Sequence, residues 1–254
     1  MTEYDTFPKL LQLNYERYGD KKVAMLKKEL GIWQSYTWKD YFQKVKFFSL
    51  GLISLGLQAG DRVSILGEND PEWYWADLAI QAAGAITVGI FVDCMPQEVK
   101  HYAGDSQSRF ILAHDQEQVD KVLQIRDELP LIEKIIYWDP KGLWFYDQPF
   151  LMSFEQVLEL GKEYEKSYPR LFEENIAKGK GDDVAVILYT SGTGGLPKGL
   201  MTTYNNLMKT SLPVRKMAHW DKTFNYVSAI SPAWLNEHTM GIVCSLIEGT
   251  IASF

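Results

Sequence analysis

Val186-Ile187-Leu188-Tyr189-Thr190-Ser191-Gly192-Thr193-Gly194-Gly195-Leu196-Pro197-Lys198-Gly199-Leu200 is the stretch on which the reading of this chain turns. The run from Val184 to Leu188 is apolar and rich in β-branched residues, which predicts a buried strand. From Thr190 to Gly195, three hydroxyl residues and three glycines follow in six positions. Glycines let backbone N–H groups converge into a concavity suited to an anion. The hydroxyls of Thr190, Ser191 and Thr193 add donors. Pro197 pushes Leu196 toward an extended conformation, and Lys198 then adds a mobile positive charge. This is equipment for holding a polyphosphate.

Two common phosphate loops do not fit. The Gly-x-x-x-x-Gly-Lys-Ser/Thr pattern fails because Pro197 precedes Lys198 and Gly199 follows it. The dinucleotide fingerprint fails because Pro197 occupies the place of its third glycine. Gly199 to Thr202 reads as a second short extended piece, and a helix starts only near Thr203. Little helix dipole is then available, so side chains must do more of the binding. The bland alternative is a ligand-free Ser/Gly surface loop; the Pro-Lys-Gly string that closes the loop argues against it.

Tyr189 to Leu200 resembles the phosphate-loop signature of the AMP-forming acyl-adenylate synthetases, Tyr-Thr-Ser-Gly-Thr-Thr-Gly-x-Pro-Lys-Gly-Val. That superfamily holds the acyl-CoA synthetases, the adenylation domains of peptide synthetases and firefly luciferase. One departure is Gly194, where the family usually carries threonine and one more phosphate contact. Tyr36-Thr37-Trp38, Gly60-Asp61-Arg62-Val63, Gly67-Glu68-Asn69-x-Pro71-Glu72-Trp73 and Gln81-Ala82-Ala83-Gly84-Ala85 resemble the amino-terminal region of long-chain fatty acid–CoA ligases. The resemblance implies ATP-dependent activation of a carboxylic acid to acyl-AMP and then acyl-CoA, with ATP, Mg2+ and coenzyme A required. It implies nucleotide binding by Thr190, Ser191, Gly192, Thr193, Gly194, Gly195 and Lys198, with Thr193 also on magnesium. Ser231-Pro232-Ala233-Trp234 resembles the family's next motif, which places Trp234 near the acyl and nucleotide pockets, its proline displaced by one residue. Ordinary core packing is the competing reading of Trp234. Glu68, Asn69 and Glu72 read as loop and cap residues. His238 reads as structural or exposed, and His101, His114 and His219 stand in unrelated contexts without metal-ligand spacing.

Composition narrows the partners. With 254 residues, 46% of them apolar, the chain can bury a sizeable core and is not disordered. A net charge of −7 argues against nucleic acid, whose phosphates need a basic face. The two cysteines, Cys94 and Cys244, form no metal or redox motif and point to a reducing compartment. There is neither a secretory signal pattern at Met1–Asp5 nor an apolar run long enough to span a bilayer. A cytoplasmic protein acting on small molecules is expected; association with a membrane surface is compatible with it.

Helix and strand signals alternate along the first half. Thr6 and Pro8 open a helix that Gly19 stops; Val23–Leu26 and Trp33–Thr37 form a hairpin around Gly31. Thr37 to Asp40 reads as a capping box ahead of a helix to Gly56. Strands are expected at 62–66, 86–92, 110–113 and 134–138, with helices at 71–83, 97–103 and 116–128 between them. Such crossovers predict an α/β fold, a parallel sheet with helices on both faces. Ser153 caps another helix to Tyr168, and Lys178–Asp183 is a polar link. That link divides the chain into a first lobe, 1–180, and the start of a second, 181–254. A helix from Thr203 is ended or bent by Pro213, a strand runs from Phe224 to Ile230, and another begins at Gly249–Phe254.

The family's later motifs do not occur, so the expectation is an amino-terminal fragment, incomplete at the carboxy terminus and unable to complete adenylation alone. A non-catalytic nucleotide-binding or interaction remnant, or a ligase for an aryl or amino acid, are the alternatives.

Overall fold

The helices that start at Phe7, Trp38, Gln116, Phe154 and Tyr204 begin where the sequence supplies a side-chain partner for their unpaired N–H groups. A computed structural model describes residues 4–190 and 196–254. Thr6 accepts from the Lys9 amide to start α1 (Phe7–Tyr18), which Gly19 ends. The hairpin β1 (Val23–Glu29) and β2 (Ile32–Thr37) turns on Leu30 and Gly31, both at positive φ, as a two-residue turn between twisted strands requires. Thr37 and Asp40 cap one another's amides at 3.1 and 2.8 Å, opening α2 (Trp38–Ser54). Then come β3 (Arg62–Leu66), α3 (Pro71–Ala82), β4 (Ile86–Ile90), α4 (Pro96–Asp105), β5 (Phe110–Ala113), α5 (Gln116–Ile125), β6 (Lys134–Tyr137) and β7 (Leu151–Ser153). A second capping box, Ser153 with Gln156, opens α6 (Phe154–Ser167), and α7 (Leu171–Lys178) follows.

Strand β8 (Val184–Thr190) and strand β9 (Lys198–Thr203) complete a seven-stranded sheet of order β7-β6-β5-β3-β4-β8-β9. All its neighbours are parallel except the edge pair β8–β9. Along the strands, side chains alternate between two cores. Val63, Ile65, Phe110, Leu112, Val186 and Leu188 pack under α1, α2, α3 and α6. Leu66, Val88, Ile90, Ile111, Ala113 and Ile187 pack under α4 and α5. The expected α/β sheet with helices on both faces is what forms.

Several expectations are corrected. A second sheet is present, of order β10-β11-β1-β2, built from β10 (Asn225–Val227), β11 (Ile251–Ser253) and the hairpin. The strand expected at 224–230 is three residues long, and the strand expected at 86–92 stops at Ile90. Pro213 does not end α8 (Tyr204–Met217), which runs on past it. The Gly249–Phe254 segment is an interior strand: β11 lies between β10 and β1, and the Phe254 amide donates to the Leu26 carbonyl at 2.8 Å. Both sheets draw strands from either side of residue 180, because β8 pairs with β4 and β11 pairs with β1. Asp70 stands at the N-cap of α3 but makes no capping bond; its carboxylate is used elsewhere.

Helices α2 and α6 approach each other closely enough to exclude side chains. A Cβ on Gly161 would fall 1.7 Å from the Phe47 carbonyl oxygen, and one on Gly51 2.1 Å from that of Val157. Phe48 and Phe154 stack beside them at 3.9 Å. Gly161→Ala must push the helices apart and should cost about 1–3 kcal/mol or more. A lowered denaturation midpoint checks this; an unchanged midpoint would contradict the close crossing.

Candidate functional site

In an open parallel sheet, loops that leave adjacent strands in opposite directions open a crevice at the carboxyl ends of those strands, and ligands settle there. Here β4 leads to β5, on the far side of β3, whereas β8 leads outward to β9. The crevice between β4 and β8 is therefore the position that the topology favours for a ligand. The phosphate-loop stretch leaves β8 at that point. Because β9 runs back antiparallel, Lys198 pairs in register with Thr190 at the same end. Both are exposed. Ser191, Gly192, Thr193, Gly194 and Gly195, also expected to bind the nucleotide, lie outside the described residues. Helix α8 starts after Thr203, which faces Val184 at the opposite end of the strands, so its dipole does not reach the loop.

A second wall comes from the Ser231–Trp234 segment. It passes so close to β4 that a Cβ on Gly89 would stand 2.9 Å from the Ala233 Cα. Trp234 is 52% exposed and meets Phe91, just past β4, edge-on at 5.9 Å. It is thus on the rim of the crevice and not in the core.

Polar groups buried behind the crevice hold that segment in place. Short α-helical pieces Leu235–Glu237 and Ser245–Glu248 flank a π-helical stretch, His238–Cys244. Glu237 is 0% exposed. Its carboxylate accepts from the hydroxyls of Tyr74, Tyr226 (2.6 Å) and Ser228 (2.7 Å). Burial first, and the Glu237 charge with it, pushes the Tyr74 and Tyr226 hydroxyls far up, so both remain donors. Asn69 donates to Ser228 Oγ at 2.7 Å and to the Ile230 carbonyl at 2.6 Å, linking the loop after β3 to the same segment. Asn69 is therefore more than a cap. His238 is fully buried, with Nε2 3.6 Å from Asp77 Oδ2 and its ring edge-on to Trp73. It has no access to the crevice and serves the core.

The loop after β3 is fixed by charge. Asp70 pairs with Lys27 at 2.9 Å, approaches His114 Nε2 at 3.3 Å and accepts from Trp138 Nε1 at 3.2 Å. His114 and Trp138 stack at 4.9 Å. Glu72 also reaches Lys27, at 3.4 Å, so it too is an ion-pair member. Burial would raise the Asp70 carboxyl, but pairing with His114 and Lys27 outweighs it; burial would lower the His114 imidazole, but pairing with Asp70, helped by the charges of Asp115 and Asp139, outweighs it. Asp70 ends below its ordinary value and His114 above.

Helix α4 lies against the other side of the phosphate-loop stretch. The Tyr189 hydroxyl donates to Asp105 Oδ2 at 2.7 Å, and His101 Nε2 stands 2.8 Å from the Pro197 carbonyl. Neither residue of α4 was signalled by the sequence, where each is one polar residue in an amphipathic helix. Burial pushes the Cys94 thiol up, and the Cys244 thiol up to about 12, so neither is poised as a nucleophile. A cavity of about 470 Å³ opens at the opposite ends of the strands, lined by Gly60, Ile86, Lys178 and Val184. It touches no described part of the β8–β9 connection.

Residues 11–253 match the family of AMP-binding enzymes, and the chain belongs to that family. It is 31% identical over 211 residues to the long-chain-fatty-acid–CoA ligase ACSBG2 of Xenopus laevis, covering 83% of this chain and 28% of that one. To the long-chain-fatty-acid–CoA ligase ACSBG1 of Bos taurus it is 27% identical over 207 residues, 81% of this chain and 28% of the relative. The chain thus spans little more than a quarter of the length of these curated relatives. In fold it is similar to the anthranilate CoA ligase AuaEII solved with anthranoyl-AMP, with TM-score 0.83 and 21% identity over all of this chain and 45% of that one. A putative long-chain-fatty-acid CoA ligase from Rhodopseudomonas palustris gives TM-score 0.78 and 17% identity, covering 98% of this chain and 56% of its own. The architecture is that of the amino-terminal lobe of adenylate-forming ligases.

Two outcomes follow from the buried networks. Tyr226→Phe leaves Glu237 Oε2 without its hydroxyl donor and should cost about 1.5–3 kcal/mol of unfolding free energy, read by denaturant titration. His114 should titrate by NMR above its ordinary 6.5, and Asp70→Asn should bring it down. The stabilisation it lends is complete below pH 6.5 and fades as pH rises through the raised folded value. A midpoint at or below 6.5 would show that the pair does not form.

Proposed function

We propose that this chain supplies the nucleotide-tail site of an ATP-dependent acid–CoA ligase, and that the acid is a long-chain fatty acid. One observation carries the reading: Lys198 sits in register with Thr190 where the β8–β9 connection meets the β4–β8 crevice. Membership of the AMP-binding family supports the nucleotide, and the activity for which the relatives are named supports the acid.

In such a reaction a carboxylate oxygen attacks the α-phosphorus of ATP. The bond from that phosphorus to its bridging oxygen breaks, and pyrophosphate leaves with the electron pair, giving the acyl-adenylate. The coenzyme A thiolate then adds to the acyl carbon and AMP departs. Negative charge gathers on the pyrophosphate oxygens in the first step, and a fixed cation there lowers the barrier. Lys198 is assigned that role, with Thr190 as a hydroxyl donor beside it. Trp234 and Phe91 are assigned to the wall that the acyl or nucleotide group meets.

Magnesium, which the family implies, is not placed by the residues at hand. Among the described residues no group of three or more His, Cys, Asp or Glu is arranged to hold a metal ion. Thr193, the expected ligand, lies outside them.

Lys198→Ala should weaken ATP binding by the chain roughly ten- to hundredfold in a calorimetric titration, the scale of a lost charge-assisted contact. Unchanged affinity would remove the assignment. Pyrophosphate–ATP exchange with hexadecanoate, benzoate and an amino acid in turn, run on a ligase of the relatives' full length that carries this chain, tests the acid, and a preference for benzoate would overturn the fatty acid.

A further inference from the structure

Helix α4 touches the β8–β9 connection on both of its flanks. On entry, Tyr189 is held through its hydroxyl by Asp105 Oδ2 at 2.7 Å, with the Tyr102 carbonyl 3.2 Å away. On exit, His101 Nε2 lies 2.8 Å from the Pro197 oxygen. A carbonyl can only accept, so Nε2 carries the proton. Between these two contacts the Tyr189 ring packs against Tyr102 at 4.5 Å and edge-on to His101 at 6.0 Å. Its other side lies over Gly199, its partner across the hairpin. A Cβ there would stand 2.8 Å from Ile187 Cγ2 and 3.3 Å from the Tyr189 ring. Helix, ring and strand are stacked with no room for a side chain at residue 199.

We infer that α4 braces the nucleotide-tail site and that His101 is a positioning residue for Lys198, acting through the Pro197 carbonyl. The inference rests on the nucleotide reading given above. The Pro197 oxygen and the Lys198 N–H belong to one rigid peptide plane and point in opposite directions across it. Holding the oxygen against α4 therefore turns the Lys198 amide away from α4. The ring of Pro197 fixes φ on the preceding side, which leaves that plane little other freedom. The lysine stem is flexible, so the place of its ammonium depends on how firmly its own backbone is set.

The test compares the parent chain with His101→Ala and His101→Gln. The alanine variant should bind ATP about three- to tenfold more weakly, the scale of one hydrogen bond, and glutamine, whose amide N–H can reach the same carbonyl, should recover most of the loss. Amide hydrogen exchange should rise at residues 196–200 in the alanine variant while the α2–α6 helices keep the protection of the parent. A purely structural role would lower protection throughout and would not be rescued by glutamine. If the parent binds ATP and Lys198→Ala does not, but His101→Ala binds as the parent does, the brace is overturned and the nucleotide reading stands. If the parent binds no ATP, the nucleotide reading fails, and the proposed role of His101 in nucleotide binding fails with it.

Discussion

Strands buried on both faces can carry a polar side chain only where a partner is built in beside it, as Ser108 is for Ser64 and the Asp77 carbonyl is for Thr87, and that constraint governs this molecule. Val63, Ile65, Ile111, Leu112 and Val186 are wholly enclosed between two layers of helices. A charged or hydroxyl side chain at any of these positions would need a partner that the apolar layers do not supply. Every group able to meet a phosphate or a carboxylate is consequently driven to the strand ends. The direction of the connections then selects which end and which pair of strands. The crevice between β4 and β8 is where topology and residue chemistry coincide.

What stands behind the crevice is less permissive than what lines it. Glu237 is enclosed and balanced by hydroxyls, while Asp70 is balanced by Lys27 and His114. Buried carboxylates of this kind are poor sources of net stability but costly to leave half-partnered. Their effect is to fix one arrangement of the loops that they join. Asn69 carries that constraint from the end of β3 to Ser228 and Ile230, and so to the segment bearing Trp234. A side chain on the rim is thus held by a chain of contacts that starts in the loop after β3.

Much of this was legible in the sequence. Thr6, Thr37 and Ser153 announced their helices because a capping residue works through its immediate neighbours. The strands on either side of the β8–β9 connection, Val184–Thr190 and Lys198–Thr203, were legible for the same reason: a local run of residues encodes an extended segment. The second sheet was not legible, since β11 takes its place beside β1 through a pairing with no local signal. His101, Asp105 and Glu237 were hidden likewise. Each acquires its role from a partner distant in the chain or across a turn. Asp70 runs the other way: a residue of capping type at the start of α3 is diverted by Lys27 and His114 to longer-range duty.

The insertion of β11 next to β1 has a temporal side. Met25 and Ala252 are partners across more than two hundred residues of chain. At translation speeds of roughly 5–20 residues per second, one edge of the first hairpin waits about ten seconds to most of a minute for its neighbour to be synthesised. Throughout that interval it offers unpaired backbone groups, with Ile32 and Trp33 exposed nearby even at the end. The growing polypeptide therefore has a window in which a chaperone, or another nascent copy, competes for a place that the folded chain reserves for β11.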